Sequence, residues 1–237
     1  MKKNILTGGI IAVCLIFYAG CTGKVTPSIS GIPRGKNYDS AVFDYIYIEG
    51  LRQKLTGNAG EALKYFEQCS RINPDNDAVF YQMAQILFSR GDMQNGKKYA
   101  LKAARLDPSN LWYMLMLAGN YFQEKKIDSA IVWYEKAVKK FPGKDDLMIT
   151  LGNLYAEDKR YNDADKVFSE LDRKYGINER STLANIKNQI NSGNYDRALG
   201  LIEMLLELYP DEILYNGIKA EIFREKGDNE RAMEVYN

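Results

Sequence analysis

Histidine is absent from the 237-residue chain. With it go the commonest general base at neutral pH, every Ser-His or Cys-His nucleophile pair, and the usual nitrogen ligand of zinc. Charge of one sign is missing too. Lys plus Arg number 32 against 31 Asp plus Glu, so no global basic excess exists to grip nucleic acid. No Gly-Lys-Ser phosphate cradle and no dinucleotide fingerprint is present, and no cofactor is implied. The carboxylates Asp145-Asp146 and Asp163 with Asp165 lie at loops or repeat edges without a second constellation to make them an acid and base pair. No catalytic residue and no metal ligand is therefore assigned, and the chain is read as a non-enzyme.

What is present begins with an address. Met1-Lys2-Lys3-Asn4 is a cationic start, and Ile5 to Ala19 is a 15-residue, mostly apolar stretch interrupted by Thr7, Gly8 and Gly9, the layout of a secretory signal. A membrane-spanning helix needs about 20 apolar residues, so this stretch is short for one. It ends in Tyr18-Ala19-Gly20-Cys21, which resembles the lipobox of bacterial lipoproteins, with Tyr18 where an aliphatic residue is usual. The resemblance implies cleavage before Cys21 and its fatty acylation; the competing reading is an uncleaved anchor with Cys21 a bystander. Cleavage would remove Cys14 and acylation would consume Cys21, leaving Cys69 as the one free thiol of three cysteines. Cys69 sits among apolar helical positions and is read as a core residue. Thr22 stands where an Asp often signals inner-membrane retention, so the expected address is a bacterial outer membrane, facing the periplasm. Residues 21–38 hold Gly23, Pro27, Ser28, Ser30, Gly31, Pro33 and Gly35 without an apolar period, a flexible tether.

One period organises the rest. Pro74, Pro108 and Pro142 are 34 residues apart, and Pro210 is two periods further on, with Gly176 at the missing beat. Every proline after the tether thus stands where it can end a helix without breaking one. Twelve residues before each beat come Ala62, Gly96, Ala130, Ala164 and Ala198, continued by Ala232; small residues there let two helices approach. Four residues later stand Phe66, Ala100, Tyr134, Phe168, Ile202 and Tyr236, and on the preceding helix Gly50, Ala84, Ala118, Gly152, Ile186 and Ala220. Turn positions between the helices hold Gly57, Gly91, Gly193 and Gly227, with Lys125 and Lys159 in the other two units.

This pattern resembles the tetratricopeptide repeat family over residues 43–237, in units starting near 43, 77, 111, 145, 179 and 213. The resemblance implies an all-α fold over residues 39–237: a right-handed α-solenoid of stacked helix-turn-helix hairpins, five full and a partial sixth. The residues alone give the same logic, since each helix has one apolar face that it cannot bury by itself. The fifth unit departs from the pattern with Asn185, Ile186 and Gln189, so its first helix is expected to be displaced or to mark a bend. The last unit stops at Asn237, about two turns into its second helix. The repeats are therefore expected to continue in a longer protein or to end frayed.

In this family the first helices line the concave surface, and residues spaced 3, 4, 3 share one face. That face carries Tyr47 and Leu51, then Tyr81, Gln85 and Phe88, then Trp112, Leu115 and Phe122. These eight are the candidate partner-binding residues, since an aromatic stripe supplies the usual anchors of protein interfaces. Ile149 with Asn153 and Leu183 with Lys187 continue the face. The Lys, Asn and Arg clamp that holds chaperone tails in some relatives is absent. The Lys pairs 97-98, 125-126 and 139-140 are read as solvated faces or helix-end charges. The expected function is a membrane-tethered adaptor that binds protein or peptide partners in the cell envelope. Two alternatives stand beside it: a docking region for a catalytic domain beyond residue 237, and a homo-oligomer in which the stripe pairs with itself.

Overall fold

Two helix stops in every period divide the chain into hairpins. The computed structural model describes residues 40–235. The signal expected over 1–20, the lipidation candidate Cys21 and the tether over 21–38 lie outside these residues, as does Tyr236. The described residues form twelve helices and no strand: α1 (Ser40–Leu55), α2 (Ala59–Ile72), α3 (Asp77–Ser89), α4 (Met93–Leu106), α5 (Leu111–Gln123), α6 (Ile127–Lys140), α7 (Asp145–Glu157), α8 (Tyr161–Tyr175), α9 (Glu179–Asn191), α10 (Tyr195–Leu208), α11 (Ile213–Glu225) and α12 (Asn229–Glu234). Each helix packs on the one before it and the one after it. The result is an α-solenoid built by contacts within each hairpin and between successive hairpins. None of these helices is long and apolar enough to cross a membrane.

The turn inside each hairpin is the same in all six. One residue takes a left-handed backbone, at Gly57, Gly91, Gly193 and Gly227 but also at Lys125 (φ 58°) and Lys159 (φ 60°). The next N–H then reaches back to a carbonyl five residues earlier, as from Asp92 to Leu87 at 2.9 Å and from Arg160 to Tyr155 at 2.8 Å. That bond satisfies a carbonyl that the helix end would otherwise leave open. A side chain with a Cβ costs about 1 kcal/mol in this conformation; the two lysines show that the packed hairpin imposes it. Several first helices of hairpins are capped from the side: Asn76 accepts from the Val79 N–H at 3.0 Å and Asn110 from the Trp112 N–H at 3.1 Å.

Between the paired helices the small residues do what their spacing predicts. Ala62, Ala130, Ala164 and Ala198 are wholly buried, as are Phe66, Phe168 and Ile202. Gly152 shows why size matters, because a Cβ there would lie 2.6 Å from the Phe168 ring. Cys69 is buried in the same layer, where burial pushes its thiol up to about 12 and leaves it un-ionised at neutral pH. Neighbouring hairpins are joined by a recurring bond that the sequence did not disclose. Lys140 Nζ donates to the Pro108 carbonyl at 2.9 Å, and Lys174 Nζ to the Pro142 carbonyl at 2.6 Å. The lysine at the end of one hairpin thereby holds the loop that closes the previous one.

For the fifth hairpin the structure removes one of the two readings, displacement. Its first helix, α9, is not displaced: it starts at Glu179, 34 residues after Asp145 of α7, and packs on α7, α8 and α10. Its buried face is polar, with Ser181, Thr182, Asn185, Asn188 and Gln189 at 2% exposure or less. Position in the stack, rather than its own amphipathicity, holds this helix in register.

Candidate functional site

The face that the repeat pattern assigns to the odd-numbered helices changes in composition along the stack. Helix α3 carries a single charged residue, Asp77, and α5, with the sequence LWYMLMLAGNYFQ, carries none. Asp77 is itself engaged, since Tyr113 Oη donates to its carboxylate at 2.6 Å. Burial, and then that bond, push the Tyr113 hydroxyl well above the usual phenol range. It also ties the first turn of α5 to that of α3, the turn from which Trp112 projects. Further along, α7 opens with Asp145 and Asp146, and Arg180 of α9 pairs with Asp146.

The eight candidate residues divide into two groups. Tyr47 is half-buried, edge-on to Phe66 with 5.6 Å between ring centroids, and burial raises its hydroxyl despite a hydrogen bond with Gln82. Tyr81 is half-buried against Tyr113 at 5.0 Å. Leu51 and Leu115 are half-buried too, Leu115 against the cluster of Met114, Ala137 and Leu147. Gln85 accepts from Lys54 Nζ at 2.5 Å, and the same ammonium reaches Gln82 Oε1 at 2.6 Å. Phe88 is half-buried because Gly96 lets it lie flat, a Cβ there falling 2.5 Å from the ring. At the equivalent place one period on, Ala130 has that Cβ, and Phe122 stands outward, 41% exposed. Trp112 is 67% exposed. Trp112 and Phe122 are thus the two large apolar side chains that this set offers to a partner, whereas Tyr47, Tyr81 and Phe88 are largely engaged in packing. Ile149, placed on the same face by its spacing, is 4% exposed and belongs to the core.

Beside Phe122 the face deepens. A cavity of about 240 Å³ opens between α5 and α7, lined by Ala118, Gly119, Phe122, Tyr134, Asn153 and Glu157 among others. Its walls are mostly apolar, with the Asn153 amide and the Glu157 carboxylate at the edge, a composition that takes an apolar side chain and orients its polar flank. Spacing alone did not single out Gly119, Tyr134, Thr150 or Glu157. The signal for Gly119 was nonetheless there: Leu51, Gln85, Asn153 and Lys187 fill the places in register with it, and only the third hairpin leaves that place empty of side chain.

The described residues contain no group of three or more His, Cys, Asp or Glu that could hold a metal. The clustered carboxylates serve structure: Asp163 pairs with Arg160 and Lys166, and Asp165 pairs with Arg197 and accepts from Gln189.

Profiles for the tetratricopeptide repeat match residues 50–76, 78–110, 121–176 and 183–237, together well over half of the chain. The chain belongs to the tetratricopeptide repeat family. No curated protein matches it in sequence. Solved repeat proteins share its fold at low identity. One from Parabacteroides merdae ATCC 43184 is 19% identical with a TM-score of 0.62, covering 82% of this chain and 77% of its own. YrrB, described as having an unusual peptide-binding site, is 18% identical with a TM-score of 0.54, over 72% of this chain and 88% of its own. The pilF protein of Pseudomonas aeruginosa is 15% identical with a TM-score of 0.53, over 83% and 89%. At these identities the likeness establishes the tetratricopeptide fold and no shared ligand.

Proposed function

We propose that the protein is a tethered adaptor whose inner face binds an extended or helical segment of a partner protein, with an apolar side chain seated beside Phe122. The observation that carries this reading is the pairing of an uncharged helix, α5, with a cavity of about 240 Å³ at its exposed aromatic. Tetratricopeptide repeats are protein-interaction scaffolds, and an exposed tryptophan and phenylalanine on such a face are the side chains that most often dominate binding energy. Adjacent half-buried rings give the anchor a rigid floor. The Glu157 carboxylate in the cavity lining then favours a partner segment that is basic next to its apolar anchor.

The N-terminal segment supports a membrane tether. Acylation of Cys21 followed by a Gly, Pro and Ser-rich linker would leave the repeats free to work away from the bilayer, facing the periplasm from the outer membrane. Partners would accordingly be proteins of the cell envelope.

Affinity capture of the full-length protein from detergent-solubilised membranes tests the adaptor reading, run beside a Trp112→Ala, Phe122→Ala variant. Both side chains are exposed, so the variant keeps its fold. A partner held by the parent and lost by the variant supports the face; identical captures from both overturn it. Metabolic labelling with a fatty acid, against Cys21→Ser, tests the tether.

A further inference from the structure

The outer surface, formed by the even-numbered helices, is divided by charge. Helix α4 carries Lys97, Lys98, Lys102 and Arg105 and no acid, and α6 ends in Lys136, Lys139 and Lys140. Between them lies a cavity of about 740 Å³ with Pro108, Met114 and Trp133 in its walls and Arg105, Lys136 and Lys139 around it. Lys136 Nζ stands 4.2 Å from the centre of the Trp133 ring. Asp107 is the acid that also lines it, and that carboxylate accepts from Ser109. A second cavity, of about 750 Å³, adjoins it at Arg105 and adds Lys97, Lys98 and Lys126 around Glu124.

Two periods along the same surface the composition inverts. Lys136 is in register with Met204, and Lys140 with Leu208. Residues 203–214 carry Glu203, Glu207, Asp211 and Glu212 and no cation. Among those acids, Met204, Leu208, Tyr209 and Ile213 all stand exposed, Leu208 at 56% and Ile213 at 84%. Glu203 is paired with Lys219 at 3.2 Å; Glu207 and Asp211 are exposed at the end of α10 and in the loop beyond it.

We infer that the acidic, apolar edge of residues 203–214 in one copy docks on the basic Trp133 cavity of a second copy. Each half supplies what the other lacks: apolar side chains for a cavity with a tryptophan wall, and carboxylates for its cationic rim. A flat anionic surface would meet the rim lysines and leave the cavity walls uncovered, which is why a shaped, apolar partner is preferred to a membrane. The contact joins two different patches, so it either closes reciprocally in a two-fold pair, each copy giving its edge to the other's cavity, or propagates head to tail into a ladder or a closed ring. It uses neither Trp112, Phe122 nor the cavity beside Phe122, and is independent of the adaptor reading.

The experiment measures sedimentation of the full-length protein in a neutral detergent, over a wide concentration range, at low and at high salt. The parent is expected to form concentration-dependent larger species that salt dissolves. Two charge-reversed variants are compared with it: Arg105→Glu, Lys136→Glu, Lys139→Glu on the cavity, and Glu207→Lys, Asp211→Lys on the edge. All five positions are exposed, and circular dichroism checks that both variants remain helical. Each variant alone is expected to self-associate at least about tenfold more weakly. Mixing the two restores association, because both contacts in the mixture are again complementary. A parent that sediments as one species throughout overturns the inference, as does association unchanged by either variant. Parent protein that floats with anionic phospholipid vesicles but never self-associates, with flotation lost in the cavity variant, assigns the patch to lipid and likewise overturns it.

Discussion

The fourth and fifth hairpins occupy successive places in one stack and fill them with opposite chemistry. Where α7 buries Leu147, Met148, Leu151, Leu154 and Tyr155, α9 buries Ser181, Thr182, Asn185, Asn188 and Gln189, each 34 residues on. The sizes also change in compensation, Gly152 being matched by Ile186. In the fourth hairpin the seam is a continuous apolar cluster from Ala130 to Leu171. In the fifth, part of the polarity is satisfied: Gln189 Nε2 donates to Asp165 at 2.7 Å and to Asn185 Oδ1 at 3.0 Å, and Asn188 Nδ2 to the Tyr161 carbonyl at 3.1 Å. The rest is not, for Asp172 Oδ1, Thr182 Oγ1, Asn185 Nδ2 and Asn188 Oδ1 are buried without a partner. The comparison teaches that the register of a repeat is set by its neighbours and turns, while its stability is set by what the seam contains. The α8–α9 seam is therefore the softer of the two, since an unpaired buried polar atom costs about 1–3 kcal/mol.

The sharpest way to break this contrast is to hollow out the strong seam. Phe168→Ala removes a wholly buried ring and should cost about 3–5 kcal/mol in urea unfolding, enough to uncouple the hairpins on either side. Gly152→Ala acts on the same ring by intrusion. Its Cβ would lie 2.6 Å from Phe168, and about 1–3 kcal/mol of lost stability is expected by the same measurement.

Asn185→Leu works in the other direction, giving α9 the residue type that α7 has at that place. It deletes an unpaired amide nitrogen and leaves Gln189 its bond to Asp165. A gain of about 1–2 kcal/mol is expected, and a loss would show that the polar seam is fully hydrated in solution.

Asp172→Asn should give the smallest effect, with a dependence on pH that identifies it. Burial, the largest influence, raises this carboxyl above its ordinary value; Arg197 opposes that and Asp165 adds to it. A carboxyl whose folded value is raised holds its proton more tightly folded than unfolded. Its burden on stability is full above the folded value and lifts as pH falls through it. The amide should therefore raise Tm at neutral pH by about 2 °C, with the gain vanishing in acid. A gain that persists unchanged in acid would trace the effect to packing instead.

The repeat was legible because its markers are backbone devices. Prolines and left-handed turns act at fixed phase whatever surrounds them, so helix ends could be placed by counting. The inner face was less so, because counting places a residue on a face and says nothing of how far its side chain emerges. Phe88 and Phe122 are one period apart and identical, yet the first is held down over Gly96 and the second is raised by Ala130. The α9 face was the reverse case: its polar residues argued against an ordinary helix there, and the flanking hairpins overrode them.

Sequence by itself determined the period, the turns, the helix ends and the small residues that let paired helices close, since all of these depend on local backbone geometry and on contacts within one hairpin. Only the tertiary structure decided which aromatics stay free, where the inner face opens into a cavity, which carboxylates are spoken for, and that a polar helix can sit in an apolar stack. Each of those depends on the volume and charge that a neighbouring repeat brings to the shared seam, and that is fixed by packing across residues 34 apart.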